Sequence, residues 1–245
     1  MASEATSKGE NGAAQVCIIT GAGEGTGGAT ARRFAASGYK VAMLARTEER
    51  LKRMEAELEG SKGYVCDVAD LDHLEKTIAQ VRSDLGAPTV AVHNAVMGAF
   101  ESVLEASPEK FEKLFRINTT ALMVLTQGVA PAMIEAGNGA IIVTGNTSAW
   151  RGKPRFATFA PTKAAQRILA QAMARDLGPQ GVHVAYITVD AAIDTPWTRP
   201  RLAPDKPDDY FCKPSAIADE IFHVAHQDRS AWSFDVEIRP FHENW

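Results

Sequence analysis

Short apolar bursts alternate along this chain with longer stretches in which apolar residues return every three or four positions. QVCIIT (15–20), VAMLA (41–45), GYVCDV (63–68), TVAVHNA (89–95), GAIIVTG (139–145) and VHVAYITV (182–189) are rich in Val, Ile and Ala, as expected of strands buried on both faces. Between them, Leu51, Met54 and Leu58 share a helical face behind Thr47, a candidate N-cap. Leu74, Ile78, Val81 and Leu85 form a second stripe behind Asp70 or Asp72. Longer helices are expected around 109–136 and 157–178, the latter stopping at Gly178 and Pro179. After a last helix, WSFDVEI (232–238) supplies a final strand. This alternation predicts an α/β fold: a single-domain, Rossmann-like, doubly wound parallel sheet flanked by helices.

Two segments break the pattern. Residues 1–14 are small and polar and read as a disordered leader before a single folded domain over 15–245. Residues 195–213, TPWTRPRLAPDKPDDYFCK, hold four prolines and no clear period; so long an irregular stretch inside a compact domain is expected to be a lid that touches substrate.

Composition narrows the function classes. A net charge of -4 with both signs interspersed excludes the concentrated basic surface that nucleic acid or anionic lipid needs, which leaves a small-molecule partner. Cys17, Cys66 and Cys212 are too scattered for a disulfide framework or a zinc site. No apolar run reaches the roughly 18 to 20 residues of a membrane span, so no membrane partner and a cytoplasmic location are expected.

The chemistry begins directly after the first strand, at Thr20-Gly21-Ala22-Gly23-Glu24-Gly25-Thr26-Gly27-Gly28, followed by the helical ATARRFAASG. Glycines let the backbone turn tightly and approach a pyrophosphate, whose charge is then held by the amides and dipole of the opening helix. The order strand, glycine turn, helix makes this a dinucleotide cradle.

The pattern T-G-x-x-x-G-x-G, met by Thr20, Gly21, Gly25 and Gly27, resembles the classical short-chain dehydrogenase/reductase family, and the likeness covers nearly the whole chain. Asp67-Val68 is similar to the family's adenine-contacting pair, and His93-Asn94-Ala95 to its N-N-A-G. Asn118 matches its helix asparagine, Lys163 the lysine of Y-x-x-x-K, and Ile193-Asp194-Thr195 the segment that contacts the nicotinamide amide. The resemblance thus implies a cofactor held along Gly21, Glu24, Gly25, Thr26, Gly27, Arg46, Asp67, Val68, Asn94, Ala95, Lys163, Ile193 and Thr195. Arg46, after the second strand, resembles the clamp on a ribose 2'-phosphate and favours NADP, with NAD as the alternative. Glu24 argues the other way, because its charge should repel such a phosphate if close. The family also implies a homo-oligomer, a tetramer or dimer, built partly from the helices at 109–136 and 157–178.

The catalytic centre departs from the family. Phe159 stands where the tyrosine would donate a proton to the carbonyl oxygen, and Asn146 stands on the serine's place. Asn118, Asn146, Phe159 and Lys163 are therefore the candidate catalytic set, without a phenol among them. General acid catalysis contributes roughly 10² to 10⁴ in rate, so ordinary ketone reduction should be slow unless Thr144, Thr147, Ser148, Asp190 or Tyr210 supplies the proton. A substrate that needs hydride but no proton, such as an iminium carbon, fits the altered site. The expected function is an NAD(P)(H)-dependent oxidoreductase acting on a carbonyl or imine-type small molecule. The rival is a dinucleotide-binding pseudoenzyme or scaffold without redox turnover, and a third is non-redox elimination or cyclisation on the same fold.

Overall fold

In the computed structural model, residues 15–202 and 204–242 are described, and the leader expected at 1–14 lies outside them. The apolar bursts become parallel strands: β1 Val16–Thr20, β2 Lys40–Ala45, β3 Lys62–Val65, β4 Val90–His93, β5 Gly139–Gly145, β6 Val182–Val189 and β7 Asp235–Ile238. They form one sheet in the order β3-β2-β1-β4-β5-β6-β7, every neighbouring pair parallel. All residues of β1 and β6 are buried, which is why those stretches read as continuous apolar runs rather than alternating ones.

Helices cover both faces. On one, α1 (Thr26–Ala35), α2 (Glu48–Glu57) and α8 (Pro214–Ala225) bury Phe34, Leu51, Met54, Ile217 and Ile221 against Ile19, Met43 and Ile142. On the other, α3 (Leu71–Leu85), α5 (Ala121–Glu135) and α6 (Phe159–Leu177) bury Leu74, Ile78, Leu125 and Ala170 against Ile18, Leu44 and Ile141. The Asp70 side chain accepts from His73 N at 3.0 Å and caps α3. Thr47 is the N-cap of α2 by position, but its side chain makes no cap bond.

The helix expected at 109–136 is α4 (Pro108–Phe115) joined to α5 through a π-helical turn at Arg116–Thr120, which carries Asn118. This run is long and apolar enough to cross a membrane, contrary to the expectation that no segment is, and over half of its most apolar stretch is buried inside the fold. The segment 195–213 is less irregular than expected, containing α7 (Thr198–Leu202) and a 3₁₀ turn at Asp208–Tyr210.

Chain order reverses direction between β1 and β4, leaving a crevice at the carboxyl ends of the strands, where open α/β sheets bind ligands.

Candidate active site

A cleft of about 790 Å³ runs along that crevice. Its floor is the turn after β1. Gly21 adopts φ +75°, and a Cβ there would lie 2.7 Å from both the N and Cα of Ala95. A Cβ on Gly27 would sit 2.2 Å from the Gly21 carbonyl. Asn94 fastens the turn from β4: its Nδ2 donates to the Gly21 carbonyl at 2.9 Å, and its Oδ1 accepts from the Thr144 hydroxyl at 3.1 Å. The Thr26 hydroxyl, at the start of α1, is buried beside the cleft with no hydrogen-bond partner among the described residues. A glycine floor, a helix start without acidic residues and an unpaired hydroxyl suit an entering oxyanion.

At one end, Arg46, Thr47, Arg50, Asp67 and Val68 line the wall. Glu24 is exposed and is absent from this lining; its carboxylate lies 3.3 Å from Arg53 and 3.8 Å from Arg50. This corrects its expected place as a contact residue and the expected repulsion, since two guanidinium groups offset its charge.

At the other end, Asn94, Ala95, Asn146, Phe159, Lys163, Ile193 and Thr195 converge. Lys163 is 2% exposed, and its Nζ donates to the Thr144 carbonyl at 3.0 Å and to Gln166 Oε1. Burial pulls its pKa down to about 7, because the desolvated ammonium is disfavoured. Behind it, burial and then the Lys163 charge hold His93 down at about 3, so its ring stays neutral; Nδ1 lies 3.1 Å from the Thr20 hydroxyl.

Phe159 opens α6 one turn before Lys163 and packs with Ala99, Leu114 and Phe156. Asn146 lines the cleft, and its Oδ1 accepts from Ser148 N at 3.1 Å. Asn118 is fully buried and does not line the cleft. Its Oδ1 accepts from Met97 N at 2.9 Å, while Nδ2 donates to the Met97 carbonyl and the Thr162 hydroxyl. A direct role for its side chain is thereby corrected to one of bracing the wall.

The segment after β6 closes one side. Its two ends are joined by the Ile193–Cys212 bridge and by Asp194 N donating to Cys212 O at 2.9 Å. Arg199 braces it, pairing with both oxygens of Asp194 at 2.7 and 3.0 Å and with Asp208 at 2.7 Å. Thr195 and Trp197 lean on the glycine turn, where a Gly25 Cβ would be 3.1 Å and 3.8 Å from them.

The family model for short chain dehydrogenases matches residues 15–205, most of the chain and all of the site just described except the end of the closing segment at Asp208 and Cys212. The chain belongs to the short chain dehydrogenase family. Among curated relatives of this chain, oxidoreductase asL5 of Sarocladium schorii is 31% identical over 71% of the chain and 70% of its own length. L-xylulose reductase of Mesocricetus auratus is 29% identical over 76% and 77%. Among solved structures, a metagenomic short-chain oxidoreductase in complex with NADP superposes with a TM-score of 0.82 at 25% identity, covering 94% of this chain and 99% of that one. An alcohol dehydrogenase from the archaeon Thermococcus sibiricus, complexed with 5-hydroxy-NADP, gives 0.84 at 26% identity over 94% and 98%.

Some lining and supporting residues of the site carry little signal in the sequence. Arg50 was visible only as an arginine one helical turn after Arg46, and Gln166 only as an amide on the Lys163 face of a small-residue helix. Lys153 carried no signal, since an exposed lysine in a loop is ordinary.

Proposed function

We propose that this protein is an NADP(H)-dependent oxidoreductase with an altered catalytic site, passing hydride to a carbonyl or imine-type small molecule. The observation that carries the reading is the continuous cleft itself, from the Arg46 and Arg50 pair past the glycine floor and the unpaired Thr26 hydroxyl to Lys163. Arg46, Thr47 and Arg50 would take a ribose 2'-phosphate, the glycine turn and Thr26 the pyrophosphate, and Ile193 with Thr195 the nicotinamide amide. The dinucleotide, when bound, supplies or accepts the hydride.

The chain's own residues do the rest. Lys163 would face the ribose, and burial, which pulls its pKa down to about 7, lets Nζ take up and release a proton around neutrality. Asn146 offers amide N–H groups to a substrate oxygen or nitrogen. Phe159 closes the wall with carbon and gives no proton. The segment 195–213 acts as the lid, with Thr195 and Trp197 shutting water from the glycine turn. Exposed Met123 on α5 and Ile168 on α6 support a homo-oligomer packed through those helices.

One observation favours the rival, a pseudoenzyme: the Phe159 ring is only 5% exposed and sits in an aromatic contact with Phe156 at 6.1 Å, as a packing residue would. Turnover of an imine or carbonyl panel by the wild-type protein with NADPH separates the readings, and Phe159→Tyr tests where the reacting centre lies. If Phe159 holds the proton-donor position, the variant gains ketone reduction by roughly 10² or more over wild type. A variant that binds NADPH and still reduces no member of a small carbonyl panel would place the reacting centre elsewhere.

A further inference from the structure

Asp190 follows β6 and extends its ladder, its N–H donating to the Ile238 carbonyl at 2.9 Å. With a strand's period of two, its side chain shares a face with Tyr186 and Thr188. Tyr186 lies in the core under α5 and α6, and Thr188 lies 3.5 Å from the Trp150 indole nitrogen. Asp190 therefore stands on the same side of the sheet as Asn146, Phe159 and Lys163, and it lines the same cleft.

Its surroundings under-compensate it. The residue is 8% exposed, its Oδ2 is buried without a hydrogen-bond partner among the described residues, and its Oδ1 lies 3.8 Å from Arg151, beyond hydrogen-bond reach. That distance still makes an ion pair, but the Arg151 side chain is 39% exposed, so its charge is partly screened by water in a way that a cation inside the cleft would not be. Buried carboxylates are normally paired or hydrogen-bonded, and one left short of partners in a cleft marks a ligand site. Two further features point to the ligand's chemistry. Phe159 offers no proton at the reacting centre. Phe156, in contact with Phe100 at 5.2 Å and with Phe159, gives the pocket an aromatic wall that tolerates a cation.

We propose that Asp190 is the electrostatic anchor of a cationic substrate, an iminium or protonated imine carried on an apolar body. The inference rests on the oxidoreductase reading for its chemistry but not for its binding site. In the reaction the iminium carbon gains a hydride from a reduced nicotinamide, the C=N π pair moves to nitrogen, and the nicotinamide is oxidised. Charge and atoms balance without a proton, so the missing phenol is no obstacle. Asp190 stabilises the substrate cation and, in the reverse direction, the positive charge that develops as an amine loses hydride.

The test measures binding and turnover separately. By calorimetry, 1,2,3,4-tetrahydroisoquinolinium is titrated into the free protein and into its NADP⁺ complex, against uncharged 1-tetralol. The expected result is that Asp190→Asn weakens the ammonium tenfold or more, on the order expected for loss of a close buried charge pair. Asp190→Glu restores most of it, and 1-tetralol is indifferent to both changes. With NADPH, wild type reduces N-methyl-3,4-dihydroisoquinolinium above the protein-free background, and Asp190→Asn loses that excess by a similar factor. Equal ammonium binding by wild type and Asp190→Asn, or tighter binding of 1-tetralol, overturns the inference and leaves the oxidoreductase reading standing. Asp190-dependent ammonium binding without any NADPH binding upholds the anchor and sinks the oxidoreductase.

Discussion

Gln166 joins Lys163 to Asn118: its Oε1 accepts from Lys163 Nζ, and its Nε2 donates to the Asn118 carbonyl. All three residues are buried, so this amide satisfies a cation and a backbone oxygen that water does not reach. Replacing it with carbon removes both bonds and leaves Lys163 only the Thr144 carbonyl among its described hydrogen-bond partners. Gln166→Leu is expected to destabilise the fold by about 1–3 kcal/mol, the cost of leaving a buried polar group short of a partner. The check is equilibrium urea unfolding, with a lowered midpoint at unchanged slope; an unaltered midpoint would mean that the bridge carries no stability.

Lys163 should make stability depend on pH in an unusual direction. Burial lowers its folded pKa from 10.5 to about 7. Between those values the unfolded chain holds a proton that the folded chain lacks, so stability should climb with pH through that window, by up to about 1.4 kcal/mol per unit. Below pH 7 both states are protonated and this contribution is flat. Lys163→Met should remove the rise, and chemical unfolding measured from pH 6 to 10 in both proteins reads it directly.

The two arginines at the outer end should set cofactor choice. Arg46→Ala and Arg50→Ala are each expected to weaken NADPH about tenfold, the scale of one hydrogen bond to a charged group, while changing NADH little. Nucleotide titrations of the variants decide it, and equal losses for NADPH and NADH would remove the 2'-phosphate from this corner.

The glycine floor allows no side chain. A Cβ at position 27 would meet the Gly21 carbonyl at 2.2 Å, so Gly27→Ala must push β1's turn away from α1. Loss of nucleotide binding together with a lowered Tm is the expected outcome, read by thermal unfolding with and without NADPH.

Much of this was legible in the chain. Strands such as VAMLA and VHVAYITV are buried on both faces, and burial of that kind writes itself as unbroken apolar runs. The cradle was legible because Gly21 and Gly27 answer to local backbone demands. What the chain hid depends on long-range geometry. Glu24 reads as a repulsive charge until Arg50 and Arg53, from the next helix, are folded against it. Asn118 reads as a catalytic group, but the π turn spends its amide on Met97 and Thr162. Asp190 reads in sequence only as one of several candidate proton donors, and only the fold shows that a buried oxygen there lacks a hydrogen-bond partner among the described residues.

The measurement that bears most directly on the central claim is a calorimetric titration of the wild-type protein with NADPH and with NADH. The account predicts saturable binding of NADPH at a stoichiometry of one per chain, tighter than NADH by about tenfold or more for a phosphate held by two guanidinium groups. Binding of neither nucleotide would contradict it.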